Sequence, residues 1–412
     1  MRLARLIVAI LGTVLGSAAP AADTIKIGLI DPLSGPFANI GQSSLKHFQA
    51  AVDHANRHGG ALGVKLELVA FDNKSSTQEA LINLQAAIAQ GIRFVTQASG
   101  SNVAHALIEA INKHNERNPS RSILYLNYGA VDPALTNEKC SFWHFRFDAS
   151  GTMKLEVLTT GIADDESVRT VYLLNQDYAW GQSVSRDARE MLARKRPELR
   201  IVGDDLHPLG KVKDFAPYVS KIIDSGADAV LTGNWGNDLA LLVRAAKGAG
   251  LRARFYTLYA SLQGTPGAIG EAGADRVKTV VTWHANIERN QMEEFANAFK
   301  EKHKEDWGWL PSYIAVHMLV GAMEGARNTD PVKVAKALEG LSYLSPTGPA
   351  LMRREDHQLI QPLYLATFTK AGGPGVKYDA EGTGFGWRTD ARIEPDQTVL
   401  PTSCKMQRPD KQ

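Results

Sequence analysis

Along this chain, short β-rich apolar runs alternate with apolar stripes at helical spacing, and a polar or glycine-bearing loop follows nearly every run. Residues 24–30, TIKIGLI, form the first run, and the turn-forming loop Asp31-Pro32-Leu33-Ser34-Gly35-Pro36 follows it. A helix from about Gly41 then carries Leu45, Phe48, Val52 and Ala55 on one face, until Gly59-Gly60 stops it. A second strand at 65–71 ends in Asp72-Asn73. A further helix–strand pair leads to residues 94–97, and a strand at 122–126 precedes the loop 127–133. An aromatic, extended run at 142–147 reads as a crossing to a second body, where the pattern restarts. Strands are predicted there at 169–175, 201–207, 229–232 and 255–258, with a helix at 215–224 and another ending at 248–250. Residues 277–283 are β-rich, and helices at 292–302, 313–326 and 331–338 carry the chain back to the first body. Segments 342–347 and 351–361 lead to a last strand at 363–368 in the second, and the tail from Ala371, rich in Gly, Pro and charge, reads as surface loops.

Strand, loop and helix in repetition predict α/β architecture, an open parallel sheet with helices on both faces. In such sheets ligands bind outside the carboxyl ends of the strands. The loops at 31–41, 97–102 and 127–133 therefore converge on one edge of the first body. The stretch at 94–107, FVTQASGSNVAHAL, is the most informative of them. It reads as a strand that ends in small hydroxyl residues and starts a helix, which leaves free backbone N–H groups beside the hydroxyls of Ser99 and Ser101. Such a corner holds an anion without a cationic side chain. The same residues also read as an ordinary helix cap, and it is their position at a strand end that favours a ligand. In the second body three strand-end loops carry an aromatic residue, Trp180, Trp235 and Tyr259.

Composition narrows the classes. Arg2 and Arg5, the apolar run 6–15 and Ala19-Pro20-Ala21 make residues 1–22 a secretory leader cleaved near Ala21, with no cysteine following for lipid attachment. The apolar run is too short to span a membrane. The remaining residues, 412 less 22, or 390, are too many for one small core, so two lobes are expected. Forty-six basic and 44 acidic residues give a net charge of +2, and this balance predicts no nucleic-acid footprint. The two cysteines, Cys140 and Cys404, are expected to pair in an oxidising compartment, closing a loop of over 260 residues.

No G-x-G-x-x-G follows the first strand, and there is no G-x-x-x-x-G-K-[ST], G-x-S-x-G or H-E-x-x-H. Ser43-Ser44-Leu45-Lys46 matches S-x-x-K but has no S-D-N or K-T-G partner. His54 and His58 have a metal-compatible spacing, yet lie among polar residues near a helix end and read as a solvated face. Without a nucleophile–base pair, a metal set or a cofactor cradle, two lobes with polar and aromatic loops suggest binding rather than catalysis.

The leader, Lys26-Ile27-Gly28-Leu29, the run Pro32-Leu33-Ser34-Gly35-Pro36 with Ala38 and Gly41-Gln42, and Asp72-Asn73 after the second strand resemble the branched-chain amino acid-binding family. These are periplasmic solute-binding proteins of ABC importers. The resemblance implies the type I periplasmic binding fold: two doubly wound parallel-sheet lobes joined by three crossover segments, closing on ligand by a hinge. It implies an N-terminal lobe of 23–145 with 283–345, and a C-terminal lobe of 146–282 with 346–412. It implies a periplasmic, non-enzymatic protein with no cofactor and no metal. An inner-membrane ABC permease would be its partner, and a monomer its expected state.

On the same resemblance, Ser99 falls on the principal serine that holds the ligand carboxylate, with Gly100 and Ser101 beside it. Gly129 can supply a carbonyl, whereas the hydroxyl position of the family is Val131 here. Trp180, just before Gly181, and Trp235 match aromatic positions. The family's acid, which pairs with the ligand ammonium, falls near Tyr259, where Thr257-Leu258-Tyr259-Ala260-Ser261 contains no carboxylate. Burying an ammonium without a counter-charge costs several kcal/mol. The preferred ligand is therefore a small carboxylate without an α-amino group, an aromatic or apolar organic acid walled by Trp180, Trp235 and Tyr259. An amino-acid ligand stays open if Asp238 or Asp177 replaces the missing acid. A periplasmic hydrolase and a ligand-sensing receptor are the alternatives of other classes.

Overall fold

Fully buried strands need both faces covered, and the chain supplies that cover in strand–helix order. A computed structural model describes residues 24–409; the leader read at 1–22 and its cleavage site lie outside them. The first sheet is built from β1 (Ile25–Asp31), β2 (Leu66–Asp72), β3 (Phe94–Gln97), β4 (Leu124–Asn127) and β5 (His144–Arg146), with α1 (Ala38–Arg57), α2 (Thr77–Ala89) and α3 (Ser101–Arg117) between them. Its strand order is β2-β1-β3-β4-β5, parallel throughout. The order reverses between β1 and β3, which opens a crevice at their carboxyl ends. One face packs on α2 and α3 through Leu84, Val95, Leu107 and Ile111.

After α4 (Gly151–Ala163) come β6 (Thr170–Gln176), α5 (Ala179–Lys195), β7 (Arg200–His207), α6 (Ala216–Ser225), β8 (Ala229–Thr232), α7 (Asn237–Gly248), β9 (Arg254–Thr257), α8 (Thr265–Ile269) and β10 (Val277–Val281). Helices α9 (Glu293–His303), α10 (Leu310–Ala326) and α11 (Pro331–Leu338) then return to the other face of the first sheet, where Ile314 and Leu319 join Ile27, Phe48 and Leu126 in one core. A small sheet of β11 (Ser342–Ser345), β12 (Gly348–Met352) and β13 (Leu359–Ile360) precedes β14 (Leu363–Lys370) and β15 (Phe385–Ile393). The second large sheet has the order β15-β14-β10-β9-β8-β6-β7. Here the reversal falls between β6 and β8, so the loops after those strands define the second crevice. The chain passes between the two large sheets three times: after β5, after β10 and after β13.

The second sheet has the expected parallel core, β10-β9-β8-β6-β7, and β14 extends it, running antiparallel to both β10 and β15. Two expectations need correction. The tail is not only loops: β15 pairs with β14 from Leu363↔Ile393 to Lys370↔Phe385. It is an edge strand with only Gly386 and Trp387 buried, so its charged, exposed positions hide it from a hydrophobic pattern. The expected lobe boundary between 345 and 346 cuts the β11–β12 hairpin, whose Ala350 and Met352 belong to the core of the first sheet. The short helix α8 has too few residues to carry a periodic signal.

Cys140 and Cys404 are bonded, with a Cα–Cα distance of 5.7 Å across 264 residues of sequence. The bond ties the tail to the loop ahead of β5, where Thr402 and Ser403 also hydrogen-bond to Thr136 and Asn137. Removing it with Cys140→Ser and Cys404→Ser together is expected to lower stability by about 2–5 kcal/mol, read as a lower denaturant midpoint. An unchanged midpoint would show that the tail hydrogen bonds alone hold the segment.

Candidate functional site

The crevice of the first sheet is shaped by how its backbone N–H groups are shared out. Gly100 caps α3 with φ at +93°, and residues 98–102 turn their N–H groups in two directions. The N–H groups of Ser99 and Ala98 donate to Asp31 Oδ1 at 2.9 and 3.2 Å. Those of Gly100, Ser101 and Asn102 have no acceptor among the described residues. The sequence reading thus needs one refinement: the Ser99 N–H is occupied, and the free donors begin at Gly100. Ser101 Oγ accepts the Asp132 N–H at 3.3 Å, which joins the corner to the loop after β4. Gly129 in that loop passes so close to β3 that an added Cβ would lie 2.7 Å from the Ala98 side chain and 3.4 Å from the Trp309 ring. Only glycine lets the two loops meet there.

Asp31 is wholly buried, and its other oxygen accepts the Tyr128 hydroxyl. Burial pushes its carboxyl up to about 6, against the hydrogen bonds from Tyr128, Ser99 and Ala98 that favour the charged form. His47 on α1 also lines the crevice. Its Nδ1 bonds Ser43 O at 2.8 Å, its Nε2 accepts the Gly308 N–H at 3.0 Å, and burial lowers it to about 4. It is therefore neutral near pH 7 and supplies no cation.

The facing wall comes from the second sheet. Gly181 lets α5 start tight against β6, since a Cβ there would lie 1.8 Å from Gln176 O. That fixes Trp180, 1% exposed, whose indole N–H donates to Gly233 O at 3.0 Å and whose ring meets Tyr259 edge-on at 6.0 Å between centroids. Trp235 donates its indole N–H to the Tyr178 hydroxyl at 2.9 Å and stacks on Phe37 of the first body, centroids 4.1 Å apart. The Tyr259 hydroxyl has no hydrogen-bond partner among the described residues, and burial raises its pKa well above the usual phenol value.

One cavity of about 150 Å³ is lined by all eight predicted residues, Ser99, Gly100, Ser101, Gly129, Val131, Trp180, Trp235 and Tyr259. A single water needs roughly 10–15 Å³, so this space accepts a small organic molecule. Asp238 and Asp177 are not in its lining. Asp238 is buried and accepts from Gln176 and from the Gly210 N–H, both at 2.8 Å; Asp177 is exposed and holds Gln182. The acidic residues of the lining, Glu293, Asp306, Asp379 and Glu381, belong to an arm formed by α9 and by the segments after β10 and β14.

Sequence reasoning missed two features. Trp309 lies in the lining, its indole N–H on Tyr128 O at 2.9 Å; the signal was Trp307-Gly308-Trp309-Leu310-Pro311, two indoles just ahead of a proline-started helix. Lys154, buried in α4, pairs with buried Asp148 at 2.6 Å and stands 4.9 Å from the Tyr259 centroid and 5.6 Å from that of Trp309. A lone lysine in a helix reads as solvated, and nothing local signals otherwise.

A family model described as periplasmic binding protein matches residues 24–374. "Leu/Ile/Val-binding protein homolog 4" of Brucella abortus (strain 2308) is 34% identical over 407 residues, 96% of this chain and 95% of that one. The chain belongs to the Leu/Ile/Val-binding family of periplasmic binding proteins. It is thus a solute-binding component of ABC transporters and not an enzyme. Among solved family structures, the leucine-, isoleucine-, valine-, threonine- and alanine-binding protein from Brucella ovis, in a closed conformation, superposes with a TM-score of 0.82 at 30% identity, covering 94% of this chain and all of that one (100%). An R. palustris ABC transporter solute-binding protein in complex with 4-hydroxybenzoate superposes at 0.79 over 90% of this chain and 98% of that one, a likeness of fold at 19% identity.

Because burial raises Asp31 from 3.8 to about 6 in the folded binding protein, the native state prefers it protonated. The stability this gives is complete at acid pH and is lost as pH rises through about 6. Asp31→Asn cannot ionise, so its stability relative to the parent should shift in its favour by about 2–3 kcal/mol between pH 4 and pH 7. Urea melts across that range check this; a constant difference would mean that Asp31 titrates normally.

Proposed function

We propose that this binding protein captures a small carboxylate, preferably an aromatic or apolar organic acid without an α-amino group, and presents it to an inner-membrane ABC permease. The observation that carries the ligand class is the asymmetry of the cavity. The first body offers the N–H groups of Gly100 and Ser101, the Ser99 hydroxyl and the Trp309 ring; the facing body offers Trp180, Trp235 and Tyr259, and none of these residues is a carboxylate. The free Tyr259 hydroxyl is a neutral donor at the position where the family resemblance calls for an acid. The benzoate-type ligand of the R. palustris protein, which shares the fold, agrees with this chemistry.

An amino-acid ligand is the second reading, favoured by the names of the Brucella relatives. Beside the serine corner and the aromatic wall its ammonium would face only neutral groups such as the Gly129 carbonyl, since the carboxylates of the lining stand on the arm of Glu293, Asp306, Asp379 and Glu381. In either reading the protein acts in the periplasm as a monomer after cleavage near Ala21. The bodies that close are residues 23–145 with 283 onward through the β11–β13 sheet and the tail tied on by Cys404, and 146–282 with β14 and β15. Gene neighbours that encode a permease and ATPases, rather than a kinase, would separate transport from sensing.

A thermal-shift panel of leucine, valine and glutamate against benzoate- and cinnamate-type acids tests the ligand class. A true ligand at ~100 times its Kd should add about 2.7 kcal/mol of stability. Shifts with amino acids alone would overturn the organic-acid reading. Ser99→Ala is expected to weaken the ligand roughly tenfold or more, as loss of a hydrogen bond to a charged group does; unchanged affinity by calorimetry would leave Ser99 a structural residue.

A further inference from the structure

Asp31 is the one buried group at the crevice whose charge the ligand site does not explain. It lies at the end of β1, beneath the serine corner, and is 0% exposed. Successive backbone N–H groups are divided around it: Ala98 and Ser99 point at Asp31, while Gly100, Ser101 and Asn102 are left for a ligand. A carboxylate bound at the second set would sit one peptide away from the carboxylate held by the first.

No cation separates them. Asp31 forms no ion pair among the described residues. From β4 it faces Tyr125 and Tyr128, phenols that burial holds well above their usual pKa and so neutral. From β2 the register partner is Asp72, an acid whose oxygens take the Leu33 and Ser34 N–H groups and the Ser34 hydroxyl. From β3 and α3 come Thr96, Gln97, Ser101 and Asn102, which are uncharged; His105 on α3 is paired with Asp132. From α1 comes His47, neutral near pH 7. Arg146 on β5 is committed to Gln358, the Asp132 carbonyl and Thr136. Two carboxylates confined to one corner without a counter-ion do not both stay ionised.

We propose that the serine corner binds a carboxylate together with one proton, and that Asp31 takes the proton. This rests on the reading of the corner as the carboxylate site. The step balances: a proton from solvent bonds to Asp31 Oδ2, which becomes a donor to the Tyr128 oxygen. The Tyr128 proton turns toward the neighbouring Ser44 hydroxyl. Asp31 Oδ1 keeps the Ala98 and Ser99 N–H groups throughout. Asp31 is then a positioning residue that makes affinity depend on pH without touching the ligand, and it keeps the first set of N–H groups whether or not the second set holds a ligand.

Calorimetry with benzoate, and with leucine in parallel, in buffers of different ionisation enthalpy at pH 7 reads the proton directly. Uptake close to one proton per ligand is expected, with affinity falling by about three- to tenfold per pH unit above pH 6. Asp31→Asn should bind with no proton uptake and a flat pH profile. Carbon NMR of the Asp31 carboxyl in the unsubstituted protein gives the same answer should that variant not fold: its titration should move upward by about two pH units or more when ligand is bound. Binding with no proton uptake and an unmoved Asp31 titration would overturn the coupling alone. Failure of every acid in the panel to bind would overturn the carboxylate reading and the coupling with it.

Discussion

A backbone N–H that leaves a sheet must find an acceptor, and at the carboxyl end of β3 five leave in succession. Two of them are satisfied by Asp31, which reaches them because β1 is the immediate parallel neighbour of β3. That bond pair pins the loop, and Tyr128 pins Asp31 from the next strand. The remaining N–H groups are thereby held in a fixed fan with no protein partner. Much of the ligand side of the first body follows from this one arrangement, including the close approach of Gly129 and the seat of Trp309 on the Tyr128 carbonyl.

The connections between the bodies obey the same rule of satisfying what they bury. Arg146 at the first passage holds the Gln358 side chain of the third, and Gln358 and Gln361 donate to the Asp148 and Phe147 carbonyls. Asp148 in turn pairs with Lys154 beneath the Tyr259 and Trp309 rings. A polar seam therefore runs from the hinge to the aromatic wall. Breaking one member would leave a buried charge unpaired, which is far more costly than never having buried the pair. Across the cleft, the Phe37–Trp235 stack gives the two bodies direct apolar contact.

Much of this was readable without coordinates. The strand-end loops at 97–102 and 127–133, and the aromatic loops at Trp180, Trp235 and Tyr259, meet in one cavity because parallel sheets put every loop of that kind at one edge. Edge strand β15 escaped because one covered face with two buried residues carries no apolar rhythm. Lys154 and Asp148 escaped because their partner is each other, six residues apart in sequence but placed by the turn into α4. Trp309 escaped because its chain segment returns from the second body, and helical spacing says nothing about which loop a returning helix will meet.

The sequence by itself determined the alternating strand–helix architecture, the pairing of Cys140 with Cys404, and the residue types at each strand end, since these depend on local periodicity and on compartment. Only the tertiary structure decided how the N–H groups of residues 98–102 are shared. Which of them faces a buried carboxylate and which faces the cleft depends on Asp31, 68 residues away from Ser99 along the chain and brought there by the β1–β3 ladder. No local pattern encodes that division, because a hydrogen-bond donor is committed by whatever acceptor the fold places in front of it.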